Sequence, residues 1–123
     1  MATRSTFRRY VRLHCEVVRA SDLKRVGDLA LDLSTSGILV RSGHRVLTGE
    51  EVIVTFRPPR SNRTLDACGT VARVVHGRRP SDRFGNALGI AFEGMDPAIR
   101  AHLFDHLRGL DPAEASRPPR PLV

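Results

Sequence analysis

Apolar and polar residues alternate along most of this chain, a period that predicts strands. Residues 13–19 place Leu13, Cys15 and Val17 on one face. Residues 22–27 read as a turn region. Residues 28–33 alternate again, with Leu29, Leu31 and Leu33 together. The turn Ser34-Thr35-Ser36-Gly37 follows, and residues 38–41 form the next strand, so 28–41 predicts a hairpin. Residues 51–57 set Val52, Val54 and Phe56 against Ile53, Thr55 and Arg57 in a β-branched run. Pro58-Pro59 ends it. Residues 64–76 make a long strand, and Gly69 in its middle predicts a bulge or a bend. Residues 84–93 are a Gly-rich last strand.

The period then changes. Asp96 is a sound N-cap, Pro97 fits the first helical position, and Gly109 lies near the end. Ile99, Leu103, Leu107 and Leu110 make one helical stripe. A helix with a single apolar stripe must cover an open face or end of the strands. The expectation is therefore mainly β: a small six-stranded antiparallel barrel with one C-terminal α-helix. Barrel closure hides the strand edges.

The two ends break the pattern. Residues 1–12 are polar and basic and predict a flexible arm. Residues 111–123 hold four of the eight prolines and no period, which predicts a disordered tail. Residues 13–110 are the barrel and its helix. At 123 residues the chain is one domain, and no internal repeat is present.

Composition sharpens this in three ways. The net charge is +7, and all but one of the twenty basic residues are Arg. Such charge favours anionic partners, although Arg-rich composition by itself raises charge without function. Cys15 and Cys68 lack metal spacing and sit in apolar strand patterns, so buried thiols are expected. No apolar leader opens the chain, and no run of about eighteen apolar residues occurs. A cytoplasmic protein without membrane insertion is the expectation.

Two motifs carry the chemistry. Arg8-Arg9-Tyr10-Val11-Arg12 reads R-x-x-x-R, and Asp32-Leu33-Ser34-Thr35-Ser36-Gly37 reads D-x-S-x-x-G. Guanidinium donors lie in one plane and bind phosphate or the acceptor edge of guanine bidentately. A carboxylate suits the donor edge of guanine. Gly37 can take φ > 0 or let another group approach the backbone. The two motifs describe a site for a guanine nucleotide with bridging phosphates.

In order, spacing and strand context these motifs resemble the PilZ domain family, over roughly residues 7–110. Gly89-Ile90-Ala91-Phe92 resembles that family's G-x-x-F strand before its terminal helix. The resemblance implies a six-stranded barrel that binds cyclic di-GMP in bacterial second-messenger signalling. It implies that Arg8 and Arg12 reach phosphate oxygens and the N7/O6 edge of a guanine. Arg9 would add a phosphate contact or stack. Asp32 would accept from guanine N1–H and N2–H₂, Ser34 would donate to an acceptor, and Gly37 would let the backbone approach the ligand. Phe7, just before the first Arg, weighs against an intercalated ligand dimer. The receptor would close its arm on the ligand and signal through a protein partner.

Other readings are weaker. Asp32 and Ser34 could merely hold the hairpin through the local bonds Asp and Ser favour in turns. The chain would then be a PilZ-like adaptor that binds protein and no nucleotide. A basic small barrel could bind nucleic acid, but stacking aromatics are few. His102 and His106 stand i,i+4 on the helix without an evident third ligand, and the helix dipole explains a histidine there. No metal, no further cofactor and no enzymatic activity are expected.

Overall fold

The computed structural model describes residues 8–76 and 86–110. Six strands and one helix lie within them: β1 (Arg9–Arg19), β2 (Arg25–Leu33), β3 (Gly37–Ser42), β4 (Glu51–Phe56), β5 (Leu65–Val75), β6 (Asn86–Glu93) and α1 (Pro97–Leu107). The strands close into a barrel in the order β1-β2-β3-β6-β5-β4, and β4 returns to β1. Each neighbouring pair is antiparallel. The tail 111–123 lies outside the described residues.

The inward face of each strand is apolar. Val17, Val26, Ala30, Val40, Val54, Val71 and Leu88 are fully buried. Phe56 and Phe92 stack with ring centroids 6.1 Å apart and planes 5° from parallel. Helix α1 adds Leu103 and Leu107 to this core, with Ile99 and Leu110 packed at its margin. The expected stripe is thus the buried face. Asp96 accepts from the Ala98 amide at 2.8 Å and Pro97 opens the helix. Gly109 takes φ +87° just past the C-cap, a conformation that costs glycine least.

Four expectations need correction. The first strand begins at Arg9, four residues earlier than its apolar period. Arg9 pairs with Leu33 and Tyr10 with Asp32, so backbone pairing extends β1 beneath polar side chains. Arg9, Tyr10, Val11 and Arg12 are strand residues here, not arm; residues 1–7 lie outside the described part.

The face assigned to β2 also differs. Val26 and Ala30 point to the core, whereas Leu29 and Leu31 are half-buried. Against β3, Ala30 pairs with Val40 and Asp32 with Leu39, so Leu31 is one residue too many. This irregularity resets the alternation, and Leu33 is core again.

In β5 the register runs unbroken through Gly69 to β4, and the shift against β6 falls between Val71 and Arg73 instead. Gly69 serves close approach: a Cβ there would lie 2.7 Å from the Ala91 carbonyl oxygen. The same strand puts Ala67 inward and Cys68 outward, so Cys68 is exposed rather than buried. Cys15 is half-buried, and burial, helped by the Asp28 charge, pushes its thiol up to about 12.

Candidate functional site

Strands β1, β2 and β3 bring the two motifs together on the outside of the barrel. Ile38 and Val40 face the core, so Leu39 between them faces out. Asp32 is its cross-strand partner and shares that outer face. The extra residue at Leu31 is what allows Asp32 to stand outward while Leu33 beside it is core.

Arg8 Nη2 donates to Asp32 Oδ2 at 2.6 Å, an ion pair between the first Arg of one motif and the Asp of the other. Asp32 is only 7% exposed. Burial pushes its carboxyl above the usual range. The charge and hydrogen bond of Arg8, and the charge of Arg73, pull it back down. Tyr10, opposite Asp32, is 39% exposed, and Arg12 follows on the same alternation of β1.

Arg9 points elsewhere. Its Nε donates to the Leu107 carbonyl at 3.2 Å, at the end of α1 where the dipole favours a cation. Arg9 therefore joins the first motif to the helix, and Arg8 joins it to Asp32.

Ser34 is buried and spends its hydroxyl on the turn. Its Oγ accepts from the amides of Ser36 and Gly37, both at 3.1 Å, and its own amide donates to the Gly37 carbonyl at 2.9 Å. The hydroxyl also lies 3.2 Å from Ser36 Oγ. Gly37 begins β3, and a Cβ on it would lie 2.5 Å from the Ile90 carbonyl oxygen. The close approach it permits is that of β6. Of the D-x-S-x-x-G motif, Ser34 and Gly37 shape the turn and Asp32 alone turns its side chain to the outer surface.

Helix α1 is fastened to the same turn. Arg100 Nη1 donates to the Thr35 carbonyl at 2.6 Å. Between Arg9, Thr35, Phe104 and Leu107 lies a cleft of about 210 Å³. Small-molecule pockets usually start near roughly 300 Å³. This cleft is smaller than that, and Asp32 is not among the residues that line it. Phe7 lies outside the described residues.

The chain matches the PilZ domain family model over residues 2–109. It belongs to the PilZ domain family. Among solved structures, this PilZ domain is similar to the Bacillus subtilis inhibitor of motility MotI/DgrA, with TM-score 0.70 and 16% identity. That match covers 87% of this chain and 50% of the other, so this chain spans half the length of the Bacillus protein. It is also similar to the PilZ domain with c-di-GMP of YcgR from Escherichia coli, with TM-score 0.69 and 12% identity, covering 89% of this chain and 92% of that one. At such identities the likeness is one of fold. No curated protein sequence matches the chain.

Two residues of this region escaped the sequence reading. Arg100 is one. Arg73 of β5 is the other: its charge acts on Asp32, and its side chain lies over Gly89. Neither belongs to a motif. The one hint for Arg73 was a glycine inside β6, which in a strand marks a close approach.

The remaining histidine pair is engaged locally. His106 Nδ1 lies 2.9 Å from the His102 carbonyl oxygen, and His102 Nε2 lies 3.0 Å from Ser61 Oγ on the β4–β5 loop. Among the described residues no group of three or more His, Cys, Asp or Glu could hold a metal.

Proposed function

We propose that this PilZ domain is a receptor for cyclic di-GMP, with Arg8, Arg9, Arg12, Asp32, Ser34 and Gly37 as its ligand-binding set. The observation that carries the reading is the Arg8–Asp32 ion pair on an outer barrel face. It joins a guanidinium suited to phosphate with a carboxylate suited to guanine N1–H and N2–H₂. Each partner holds the place that a complementary ligand group would take.

Binding would exchange that pair for two others. Asp32 would accept from the guanine, and Arg8 would turn to a phosphate or to the N7/O6 edge, joined by Arg12. Ser34 and Gly37 act mainly by holding the turn that presents Asp32. Arg9 adds a phosphate contact or a stack if it leaves the Leu107 carbonyl. The segment ahead of β1, residues 1–8, would close over the ligand and create a new surface. Output then passes to a protein partner from a cytoplasmic domain. Among the described residues no helix is long and apolar enough to cross a membrane. The role is binding, without catalysis and without a resident cofactor.

Calorimetry with cyclic di-GMP on the wild type and Arg12→Ala, in moderate salt, tests the reading. A charge-assisted hydrogen bond contributes about 1.5–3 kcal/mol, so the variant should bind roughly 10- to 100-fold more weakly. Absence of binding by the wild type would leave the adaptor reading, in which Asp32 and Arg8 only satisfy each other. Affinity for single-stranded nucleic acid that collapses with salt would favour nucleic acid instead.

A further inference from the structure

Four residues stand in one row across the outer face. Asp32 of β2 pairs with Leu39 of β3, Leu39 with Gly89 of β6, and Gly89 with Arg73 of β5. Strands lie about 4.8 Å apart, so the row spans roughly 14 Å between its end Cα atoms. The Arg73 side chain runs along the first part of that span, over Gly89. A Cβ built on Gly89 would meet Arg73 Cγ and Nε at 3.0 Å, so the Arg73 stem lies flat over the glycine toward β3. Any larger residue at position 89 would lift it away. Among the described residues no ion pair or hydrogen bond ties down the Arg73 head group.

We propose that Arg73 is a positioning residue of this site: laid across Gly89, it is the standing counter-charge of Asp32, which frees Arg8 to leave the carboxylate for a bound cyclic dinucleotide. The proposal rests on the cyclic di-GMP reading for its purpose, but not for its electrostatics.

The physical need is plain. Asp32 is nearly buried, and a buried carboxylate that loses its cation tends to take up a proton. A protonated carboxyl cannot accept two hydrogen bonds from guanine N1–H and N2–H₂ while also holding its own proton away from them. Arg8 stands just ahead of β1, outside the strand pairing. Arg73 is a strand residue of β5, paired with Gly89 of β6. Among the described residues, the groups around Asp32 are Arg8 and Tyr10 from the β1 side, Leu39 from β3, and Arg73 from β5. Of these only the two arginines carry charge, and both pull the carboxyl down against burial.

Two measurements on the full chain test this. The first follows the Asp32 carboxyl by carbon NMR against pH, with no nucleotide added. Arg73→Gln should raise its midpoint, Arg73→Lys should restore it, and the rise should be larger in an Arg8→Gln background. The second is cyclic di-GMP affinity against pH. Binding needs the ionised carboxylate, so it fails as pH drops. Arg73→Gln should move that acid limb to higher pH by up to about one unit, a loss of up to about tenfold within the limb. Arg73→Lys should leave the limb in place.

An Asp32 midpoint indifferent to Arg73→Gln would overturn the counter-charge. So would an affinity loss of equal size at every pH, because that marks a direct ligand contact. If the wild type bound no cyclic di-GMP, the receptor reading would fail, while the carboxyl titration would still decide the role of Arg73.

Discussion

Arg100 of the helix donates to the carbonyl of Thr35 at 2.6 Å, and so ties α1 to the turn that carries the D-x-S-x-x-G motif. On the other side Arg9 donates to the carbonyl of Leu107. The helix therefore touches both motifs through backbone oxygens, one at the turn and one at its own C-terminus. A ligand that draws Arg9 toward phosphate removes one of these two ties.

Replacing Arg100 by Ala should loosen the helix. Hydrogen bonds to charged groups contribute about 1.5–3 kcal/mol, and this one is part-buried. Urea unfolding should show a loss of about 1–2 kcal/mol, with faster amide exchange in α1. Unchanged stability and exchange would mean that Leu103 and Leu107 hold the helix without help.

Asp32→Asn separates binding from folding. Burial raises the folded carboxyl above its ordinary value of 3.8, against the pull of Arg8 and Arg73. In the window between 3.8 and the raised folded value the native state holds more protons than the unfolded one. The share of stability due to Asp32 is thus full below that window and is lost as pH rises through it. Asn has no such titration, so the decline should flatten in thermal melts across mild acid. Cyclic di-GMP affinity should meanwhile fall roughly 10- to 100-fold. A variant that loses stability at neutral pH while keeping the decline would contradict this account.

Gly37→Ala should behave in the opposite way. Its new methyl would lie 2.5 Å from the Ile90 carbonyl oxygen, which is backbone in a paired strand and cannot step aside. Overpacking of this kind costs about 1–3 kcal/mol. The expected result is a lower urea midpoint. Folded variant should still bind ligand, since Gly37 serves the contact with β6. Lost affinity at full stability would restore a direct role for Gly37.

The two thiols should differ in rate. Cys68 is exposed, whereas Cys15 is half-buried and its thiol is pushed up to about 12, chiefly by burial. The thiolate is the nucleophile, so Cys15 should be nearly inert at mild pH. A disulfide reagent at about pH 8 should label one thiol quickly and the second only on unfolding. Mass mapping that finds Cys15 modified first would refute the assignment.

Much of the fold was legible where local signals agreed. Residues 51–57 alternated without interruption and became β4, one residue shorter. The helix carried its cap at Asp96, its Pro97 start and its Leu103–Leu107 stripe, and all three stand as expected. The hairpin around Ser34 was equally plain, because the hydroxyl and the turn amides that satisfy it lie within three residues of one another. The start of β1 was not legible. Residues 9–12 have no apolar period, and only pairing with Leu33 and Asp32 makes them strand.

By itself the sequence determined the strands, the helix and the two motifs, since each depends on residues close together in the chain and on a short-range period. Tertiary structure decided which way those motifs face. The extra residue at Leu31 turns Asp32 outward, and alternation counted along one strand cannot register an insertion measured against its neighbour. It also decided the company Asp32 keeps. Arg8 and Arg73 lie 24 and 41 positions away, and only closure of the barrel through β3, β6 and β5 sets their charges around one buried carboxylate.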